Sequence, residues 1–324
     1  MTKGIDAIKG PIEAELIEFE RHFRKSMRSQ VSLLDKITYY IVRRKGKQVR
    51  PMFVFLSAKL CGEITSSSYN AASLVELLHT ASLVHDDVVD DSFERRGFFS
   101  INALWKNKIA VLVGDYLLSQ GLLLALSNHE YKLLQIVSTA VKKMSEGELL
   151  QMEKARRLDI KEDVYYDIIR GKTASLLAAA CAAGAASVTD DDEVIERMRT
   201  FGEKIGMSFQ IRDDLFDFGT DDVGKPLGID IKEKKLTLPL IYALQHAQPA
   251  EKRQILTLIR KYHDRDDKVR EVIDFVRKSG GLEYAREKML DFRREAFDQL
   301  AQFPEGPARR ALEELVVFVT DRKK

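Results

Sequence analysis

The sequence predicts an all-α fold, a helical bundle, and three observations support this class. No proline lies between Pro51 and Pro226, which favours long helices because proline breaks helix interiors. Apolar residues recur at three- and four-residue spacing, as at positions 74, 77, 78 and 81, which indicates one face of a helix. Strand signals are weak, and no Asn-Gly or Asp-Gly hairpin turn occurs. We therefore expect one all-α domain over residues 1–324, with roughly ten or more helices.

Glycine-containing segments mark where the predicted helices are interrupted. They lie at residues 45–46, 96–97, 220–224 and 280–281. The segment 172–186 is rich in alanine, which favours helix and lets neighbouring helices approach closely. No internal repeat or low-complexity linker divides the chain.

The charges of the chain are balanced. Among 324 residues there are 52 basic and 50 acidic side chains, with a net charge of +2. This balance produces no long-range field of one sign, so no nucleic-acid partner is expected. The two cysteines, Cys61 and Cys181, and the six histidines show no metal-binding or redox spacing. Such cysteines are typical of buried thiols in a reducing compartment, and we expect a cytoplasmic protein.

The two longest apolar stretches of the chain are residues 109–127 and 174–188. The first contains Asp115 and Gln120, and the second is short and consists mostly of Ala, Gly and Ser. Neither composition is typical of a membrane span, so we expect no integral membrane segment.

A cluster of carboxylates follows an apolar helical stretch at residues 77–97. Asp86 and Asp90 are four residues apart, so their side chains share a helix face, and Asp87 and Asp91 flank them. Ionised carboxylates this close repel by roughly 1 kcal/mol per pair in water-like surroundings, and by more when partly desolvated. A bound cation would offset that repulsion, and Mg²⁺ suits oxygen ligands that also bridge to substrate phosphates. The alternative is an acidic patch at a helix end.

A second cluster repeats this arrangement in FQIRDDLFDF, residues 209–218. Asp213 and Asp217 are again four residues apart, with Asp214 beside them, and apolar residues surround all three. Two copies of Asp-Asp-x-x-Asp on separate apolar helices are much more specific than one. Facing helices of a bundle can direct such clusters into one cavity. We expect that cavity to hold several Mg²⁺ ions and a polyanion.

A bound polyanion also requires cationic side chains. Candidates lie in short glycine-marked segments: Lys47, Arg50, Arg95, Arg96, Lys172, Lys225 and Lys235. Arg binds phosphate through two hydrogen bonds, whereas Lys acts as a point charge. His79 lies seven residues before Asp86, two turns along the same helix face. It is either a phosphate donor or an ordinary core histidine, and His85 is expected to be structural.

These motifs together resemble the trans-isoprenyl diphosphate synthase (polyprenyl synthetase) family. The similar segments are GKQVRP at residues 46–51, both aspartate-rich motifs, RRG at 95–97, GKT at 171–173, and GKPLGIDIKEKKLTLP at 224–239. The resemblance implies an isoprenoid-synthase-type bundle around a central cavity, usually as a homodimer. It also implies that isopentenyl diphosphate and an allylic diphosphate are condensed with Mg²⁺. One departure is visible, because Lys45 replaces the first glycine that often precedes Gly46 and Lys47.

The resemblance also implies roles for individual residues. The catalytic set would be Asp86, Asp87, Asp90, Lys172, Asp213 and Asp214. The metal ligands would be Asp86, Asp90, Asp213 and Asp217. The allylic diphosphate would contact Arg95, Lys172 and Lys235. The diphosphate of isopentenyl diphosphate would contact Lys47, Arg50, His79 and Arg96. The residues lining the site would be Thr173, Gln210 and Lys225.

Two small residues, Ala81 and Ser82, bear on product length. They lie five and four residues before Asp86, about one turn down the helix at 1.5 Å per residue. Short-chain members of the family tend to place an aromatic floor here. Small residues leave a tunnel open, so we expect a product longer than geranylgeranyl. Alternatively, Ala81 and Ser82 serve only close helix packing, and a deeper floor could come from Leu74, Leu78 or residues 117–124.

Three other functions remain open from sequence. A geranylgeranyl diphosphate synthase would have the same site with a shallower tunnel. A class I terpene cyclase usually has an Asn/Ser/Glu motif in place of the second aspartate motif, so residues 213–217 argue against it. A non-catalytic regulatory subunit usually lacks aspartates from one or both motifs, and here both motifs are intact.

Overall fold

The computed structural model describes residues 2–43, 48–95, 97–219 and 227–321. These residues form the helices α1 (Thr2–Lys9), α2 (Glu13–Ser26), α3 (Ser32–Arg43), α4 (Val49–Cys61), α5 (Ser66–Val89), α6 (Ile101–Ser127), α7 (Tyr131–Arg157), α8 (Glu162–Ile169), α9 (Ser175–Ala186), α10 (Asp192–Phe216), α11 (Ile229–Lys232), α12 (Leu238–His246), α13 (Pro249–Tyr262), α14 (Asp266–Lys278), α15 (Gly281–Leu300) and α16 (Pro307–Thr320). A short antiparallel hairpin, β1 (Glu94–Arg95) with β2 (Phe98–Phe99), separates α5 from α6. The all-α prediction is confirmed.

Contacts within the chain divide it into two compact units. Unit 1 comprises residues 1–141, 176–199 and 303–312, and unit 2 comprises residues 142–175, 200–302 and 313–324. The helices α7, α9, α10 and α16 therefore contribute residues to both units. The organisation as a single domain stays a prediction.

In unit 1, the helices α5 and α6 pack closely and position the first aspartate motif. The side chains of Leu78 and His85 on α5 lie over Gly121 and Gly114 on α6, where an added Cβ would overlap them. Glycine at these two positions lets the helices approach without a steric clash. The ring of His85 also lies 3.3 Å from the carbonyl oxygen of Val111. The last turns of α5, which carry the first motif, are therefore held against α6.

The exposed face of α6 is largely apolar, although it also carries Asp115, whose side chain is 60% exposed. Along it, Leu112 is 59% exposed and Leu123 is 54% exposed, with Val111, Leu122 and Leu126 beside them. By length and composition, α6 is the one described helix apolar enough to cross a membrane, with a mean hydropathy of 1.8 over its best window, of which 33% is buried. Core helices can pass the same test. An exposed apolar face of this kind marks a contact surface.

The two cysteines lie in unit 1 without a disulfide. Cys181 is buried and Cys61 is half-buried. Burial raises the pKa of both thiols to about 12, because it disfavours the charged thiolate. Both thiols are therefore neutral at physiological pH and weakly nucleophilic.

Unit 2 is built on one apolar core between α8, α10 and the helices α11–α15. Its buried side chains include Ile211 and Phe218 next to the second aspartate motif, and Ile259 on α13. A π-helical turn, Arg170–Ala174, directly follows α8. Such turns are rare and frequently occur at functional sites. This one carries Lys172 and Thr173, both of which the sequence motifs had singled out.

Candidate active site

The first aspartate motif lies at the carboxyl end of α5. Asp86 and Asp87 belong to the last turn, and Asp90 is the residue after the helix, with its N–H donating to the carbonyl oxygen of Asp86 at 2.8 Å. Asp86 is half-buried and Asp90 is exposed, whereas Asp87 is only 3% exposed. Within the Asp-Asp-x-x-Asp motif, the two accessible carboxylates are therefore Asp86 and Asp90, the pair predicted to bind Mg²⁺.

The start of α6 fixes the turn that follows this motif. The Asn102 Nδ2 donates to the carbonyl oxygens of Asp87 and Ser92, each at 3.1 Å. The Ser100 hydroxyl, which caps α6 by accepting from the N–H of Ala103 at 3.3 Å, donates to the same Ser92 carbonyl at 2.7 Å. Asn102 was not identified from sequence, because its partners lie ten and fifteen residues away.

A cavity of about 130 Å³ lies beside the first motif within unit 1. Its polar lining includes His79 and Asp87 of α5 and Gln48 before α4, and its apolar lining includes Phe23 and Leu83. His79 is buried. The structure therefore brings the predicted His79 into one cavity with Asp87. Arg50 lies half-buried in the first turn of α4.

Several predicted basic contacts lie outside the described residues. These are Lys47, Arg96 and Lys225. Arg95 is described only as backbone, in strand β1. The roles assigned to these four residues stay predictions.

The second aspartate motif lies at the end of α10 in unit 2. Asp213 forms an ion pair with Arg212, whose Nη2 lies 2.6 Å from the Asp213 Oδ1. The Arg212 guanidinium lies over the rings of Phe209 and Phe216, at 4.8 and 5.2 Å from their centroids. It also donates to the carbonyl oxygen of Val319 in α16. This buried arginine was missed from sequence, since one arginine among many basic residues gives no signal.

Asp214 is the most buried carboxyl group of the second motif, only 4% exposed. The Tyr165 hydroxyl donates to its Oδ2 at 2.6 Å, and the Gln210 Nε2 donates to its Oδ1 at 2.9 Å. Burial, with a smaller contribution from the negative charge of Asp230, raises the pKa of Asp214 to about 8. Burial therefore disfavours the ionised form of Asp214, whereas the two hydrogen bonds that it accepts favour that form.

Asp217 follows the last residue of α10, and its carboxylate is directed to the start of α11. It accepts the backbone N–H groups of Ile229 at 2.7 Å and Asp230 at 3.2 Å. Burial raises the pKa of Asp217, while these backbone donors oppose the shift. Asp213 and Asp217 were predicted to share a helix face. They do not, because α10 ends at Phe216, one residue before Asp217. Its role as a metal ligand stays a prediction.

Asp230 is an acidic residue of this site that was missed from sequence. It lies in α11, and burial and the charge of Asp217 raise its pKa to about 6. Asp230 could have been proposed from sequence, because it lies in the GKPLGIDIKEKK segment. Only Lys225 and Lys235 of that segment were assigned a role.

A cavity of about 90 Å³ in unit 2 contains five of the predicted residues, although Asp213 and Asp217 do not line it. It is lined by Lys172, Thr173, Gln210, Asp214 and Lys235, together with Tyr165 and Asp230. Both lysines form ion pairs: the Lys172 Nζ lies 2.5 Å from the Glu148 Oε2, and Lys235 pairs with Glu233. The Thr173 hydroxyl donates to the Gln210 Oε1 at 2.7 Å. Two lysines, the hydroxyl groups of Thr173 and Tyr165, and two carboxyl groups thus line one small cavity.

The carboxyl groups of this site fit Mg²⁺ although they form no closed cage. Among the described residues, no three His, Cys, Asp or Glu side chains are grouped to hold a metal ion by themselves. Mg²⁺ does not require such a cage, because it usually binds one or two carboxylates together with waters and substrate phosphates. The raised pKa values of Asp214 and Asp230 reveal buried negative charge that a cation would neutralise.

Comparisons with known proteins show the family to which the chain belongs. The polyprenyl synthetase family model matches residues 31–276. The all-trans-nonaprenyl-diphosphate synthase (geranyl-diphosphate specific) of Rhodobacter capsulatus is 36% identical over 318 residues, covering 97% of each chain. The structure of a decaprenyl diphosphate synthase from Rhodobacter capsulatus superposes with a TM-score of 0.92 at 33% identity, covering 99% of both chains. A geranylgeranyl pyrophosphate synthase structure from Bacteroides thetaiotaomicron has a TM-score of 0.82 at 39% identity, covering 98% and 99%.

The fold and these matches define an all-α isoprenoid-type synthase. The chain belongs to the polyprenyl synthetase family, as its motifs predicted. It is an enzyme, a prenyltransferase, which removes the alternative of a non-catalytic regulatory subunit.

Proposed function

We propose that this protein is a Mg²⁺-dependent prenyltransferase that condenses isopentenyl diphosphate with an allylic diphosphate. The product would be a trans-polyprenyl diphosphate longer than geranylgeranyl. The observation that carries the proposal is the unit 2 cavity, in which Lys172, Lys235 and Thr173 lie beside the carboxyl groups of Asp214 and Asp230. This combination suits a diphosphate that arrives with divalent cations. A cytoplasmic location is part of the proposal.

The chemistry follows from what these side chains can do. Lys172 and Lys235 bind diphosphate oxygens and stabilise the charge that develops as the allylic carbon–oxygen bond breaks. The aspartates of the two motifs would hold Mg²⁺, and the bound ion would supply further Lewis-acid stabilisation of the leaving diphosphate. The double bond of isopentenyl diphosphate attacks the allylic carbon, and a proton is then lost to the released pyrophosphate. No protein side chain has to act as a base.

The reaction is tested by following pyrophosphate release from purified protein. Release should require isopentenyl diphosphate, farnesyl diphosphate and Mg²⁺ together, and a chelator should abolish it. Release from farnesyl diphosphate alone, without isopentenyl diphosphate, would instead indicate hydrolysis or cyclisation and would overturn the proposal.

Product length is proposed from Ala81 and Ser82 on α5. Ala81 is fully buried, and the Ser82 hydroxyl donates to the carbonyl oxygen of His79 at 2.8 Å. Neither residue lines the two cavities described above. The nonaprenyl and decaprenyl synthases among the similar proteins support a long product.

Replacing Ala81 with Val, Leu and Phe in turn is expected to shorten the product step by step. A larger side chain at this level would block the growing prenyl chain, and Phe should stop elongation at geranylgeranyl or earlier. Overpacking a buried site typically costs about 1–3 kcal/mol of stability, so melting temperatures are measured with each variant. Products are sized by mass spectrometry. An unchanged product from folded, active Ala81→Phe protein would favour the close-packing interpretation.

A second candidate, geranylgeranyl diphosphate synthase, is supported by the similar Bacteroides thetaiotaomicron structure, which is 39% identical. The two candidates share the same chemistry and differ only in the depth available to the chain. Product size therefore separates them.

We also propose that the protein is a homodimer that uses the exposed apolar face of α6. Leu123→Glu should place a charge in that interface and yield monomers, because burying an unpaired carboxylate is strongly unfavourable. Sedimentation velocity measures the change. Leu290→Glu on α15 is the matched control, since Leu290 is also exposed at 38%. A monomeric parent protein, or a dimer that survives Leu123→Glu, would contradict this assignment.

A further inference from the structure

Three hydrogen bonds in series link α8 to the π-helical turn within unit 2. The Tyr165 hydroxyl donates to the Asp214 Oδ2 at 2.6 Å, and the Gln210 Nε2 donates to the Asp214 Oδ1 at 2.9 Å. The Gln210 Oε1 in turn accepts from the Thr173 hydroxyl at 2.7 Å. All four side chains line the cavity that also contains Lys172. Tyr165 is only 3% exposed, so no solvent competes for its hydroxyl.

The direction of each bond follows from the chemistry of its donors. The ionised Asp214 carboxylate has only acceptor oxygens, so Gln210 must turn its amide nitrogen, and not its oxygen, toward Asp214. The Gln210 Oε1 is then free to accept the hydrogen bond of the Thr173 hydroxyl. Because the Thr173 proton is used in that bond, its oxygen can act toward other groups only as an acceptor. Buried networks of this kind become rigid when every member is satisfied. Removing the Tyr165 hydroxyl would leave the Asp214 Oδ2 without its donor. It would also loosen the hydrogen bonds from Gln210 to Asp214 and from Thr173 to Gln210.

We propose that Tyr165 is a positioning residue for the reaction, holding Asp214 and, through Gln210, orienting Thr173 beside Lys172 in the diphosphate cavity. This inference rests on the proposed function. Tyr165 touches no reacting atom and is not a catalytic residue. Nothing in the motifs identified it, since its partner Asp214 is 49 residues away.

The neighbouring tyrosine provides a matched control. Tyr166 lies on the same helix, and its hydroxyl donates to the Glu162 Oε1 at 2.9 Å. It is half-buried and does not line the cavity. Tyr165→Phe and Tyr166→Phe each remove one hydroxyl from α8, but only the first breaks the series that ends at Thr173.

The test compares kcat, KM and thermal midpoint for the two variants. Tyr165→Phe should lower kcat about 10–100-fold, the usual effect of losing an outer-sphere hydrogen bond at a metal site, while Tyr166→Phe should stay within twofold of the parent. If Tyr165 acts through Thr173, adding Tyr165→Phe to Thr173→Val should lower kcat no further, because coupled residues are not additive. Equal kcat values for the two tyrosine variants, or losses that multiply in the double variant, overturn the inference.

A binding measurement separates this inference from the proposed function. Calorimetric titration with Mg²⁺ and inorganic pyrophosphate needs no turnover, so it reports on the cavity even if the parent protein shows no condensation. Tyr165→Phe should weaken pyrophosphate binding about tenfold relative to Tyr166→Phe, and equal affinities overturn the inference. An inactive parent protein that shows this difference would contradict only the proposed reaction.

Discussion

Replacing Asp86 with asparagine is expected to lower kcat by about 10²–10³-fold, the range seen when one electrostatic stabiliser of a developing charge is removed. Asp86 is accessible at the end of α5, and the substitution keeps its size while removing its charge. The fold should remain intact, since no apolar core contact is lost. The rate is measured across a Mg²⁺ titration, and the Mg²⁺ concentration that gives half the maximal rate should rise.

Asp91→Asn is the matched control for that variant. Asp91 belongs to the same acidic cluster, but it is exposed and has a positive φ of 47°. Asparagine adopts this conformation readily, so activity and stability should match the parent. If both variants retained equal activity, the assignment of Asp86 to the metal would be wrong.

Replacing Lys172 with glutamine is expected to lower kcat/KM for the allylic diphosphate by about 10²-fold or more, because one cation that binds the departing diphosphate is lost. Lys142→Gln serves as the control, since Lys142 pairs with Glu146 on the exposed surface of α7 at 3.7 Å. Surface pairs of this kind contribute about 0–1 kcal/mol to stability. Steady-state kinetics with each substrate varied in turn measures the effect.

A purely structural role for Lys172 predicts a different result. In that case its partner Glu148 would be equally important, and Glu148→Gln would reproduce the loss. If Lys172 instead binds substrate, Glu148→Gln should have a smaller effect on kcat/KM than Lys172→Gln. Equal losses in the two variants would contradict the substrate-binding role.

The architecture was largely readable from sequence because helix signals are local. The proline-free stretch and the three- and four-residue spacing on α5 predicted long helices, and the structure has them. The hairpin of residues 94–99 was not predicted, since two-residue strands leave no alternating pattern. Of the break predicted at residues 96–97, the structure describes Gly97, which lies directly before β2.

The site was predicted only where residues recur in motifs. Lys172, Thr173, Gln210, Asp214 and Lys235 were selected from their segments, and one cavity contains them all. Tyr165 and Glu148 were missed because each contacts a partner that helix periodicity does not specify. Asp230, by contrast, stood in a recognised segment and was overlooked. A spacing of four residues places two side chains on one face, but only tertiary packing decides which distant hydroxyl or carboxylate meets them.

The most direct test of the proposed function is the size of the product. Purified protein is incubated with Mg²⁺, isopentenyl diphosphate and farnesyl diphosphate, and the prenyl products are sized by mass spectrometry. We expect a ladder that ends beyond geranylgeranyl. Products that stop at geranylgeranyl would retain the reaction and contradict the open tunnel. Folded protein that elongates no allylic primer would contradict the proposed reaction itself.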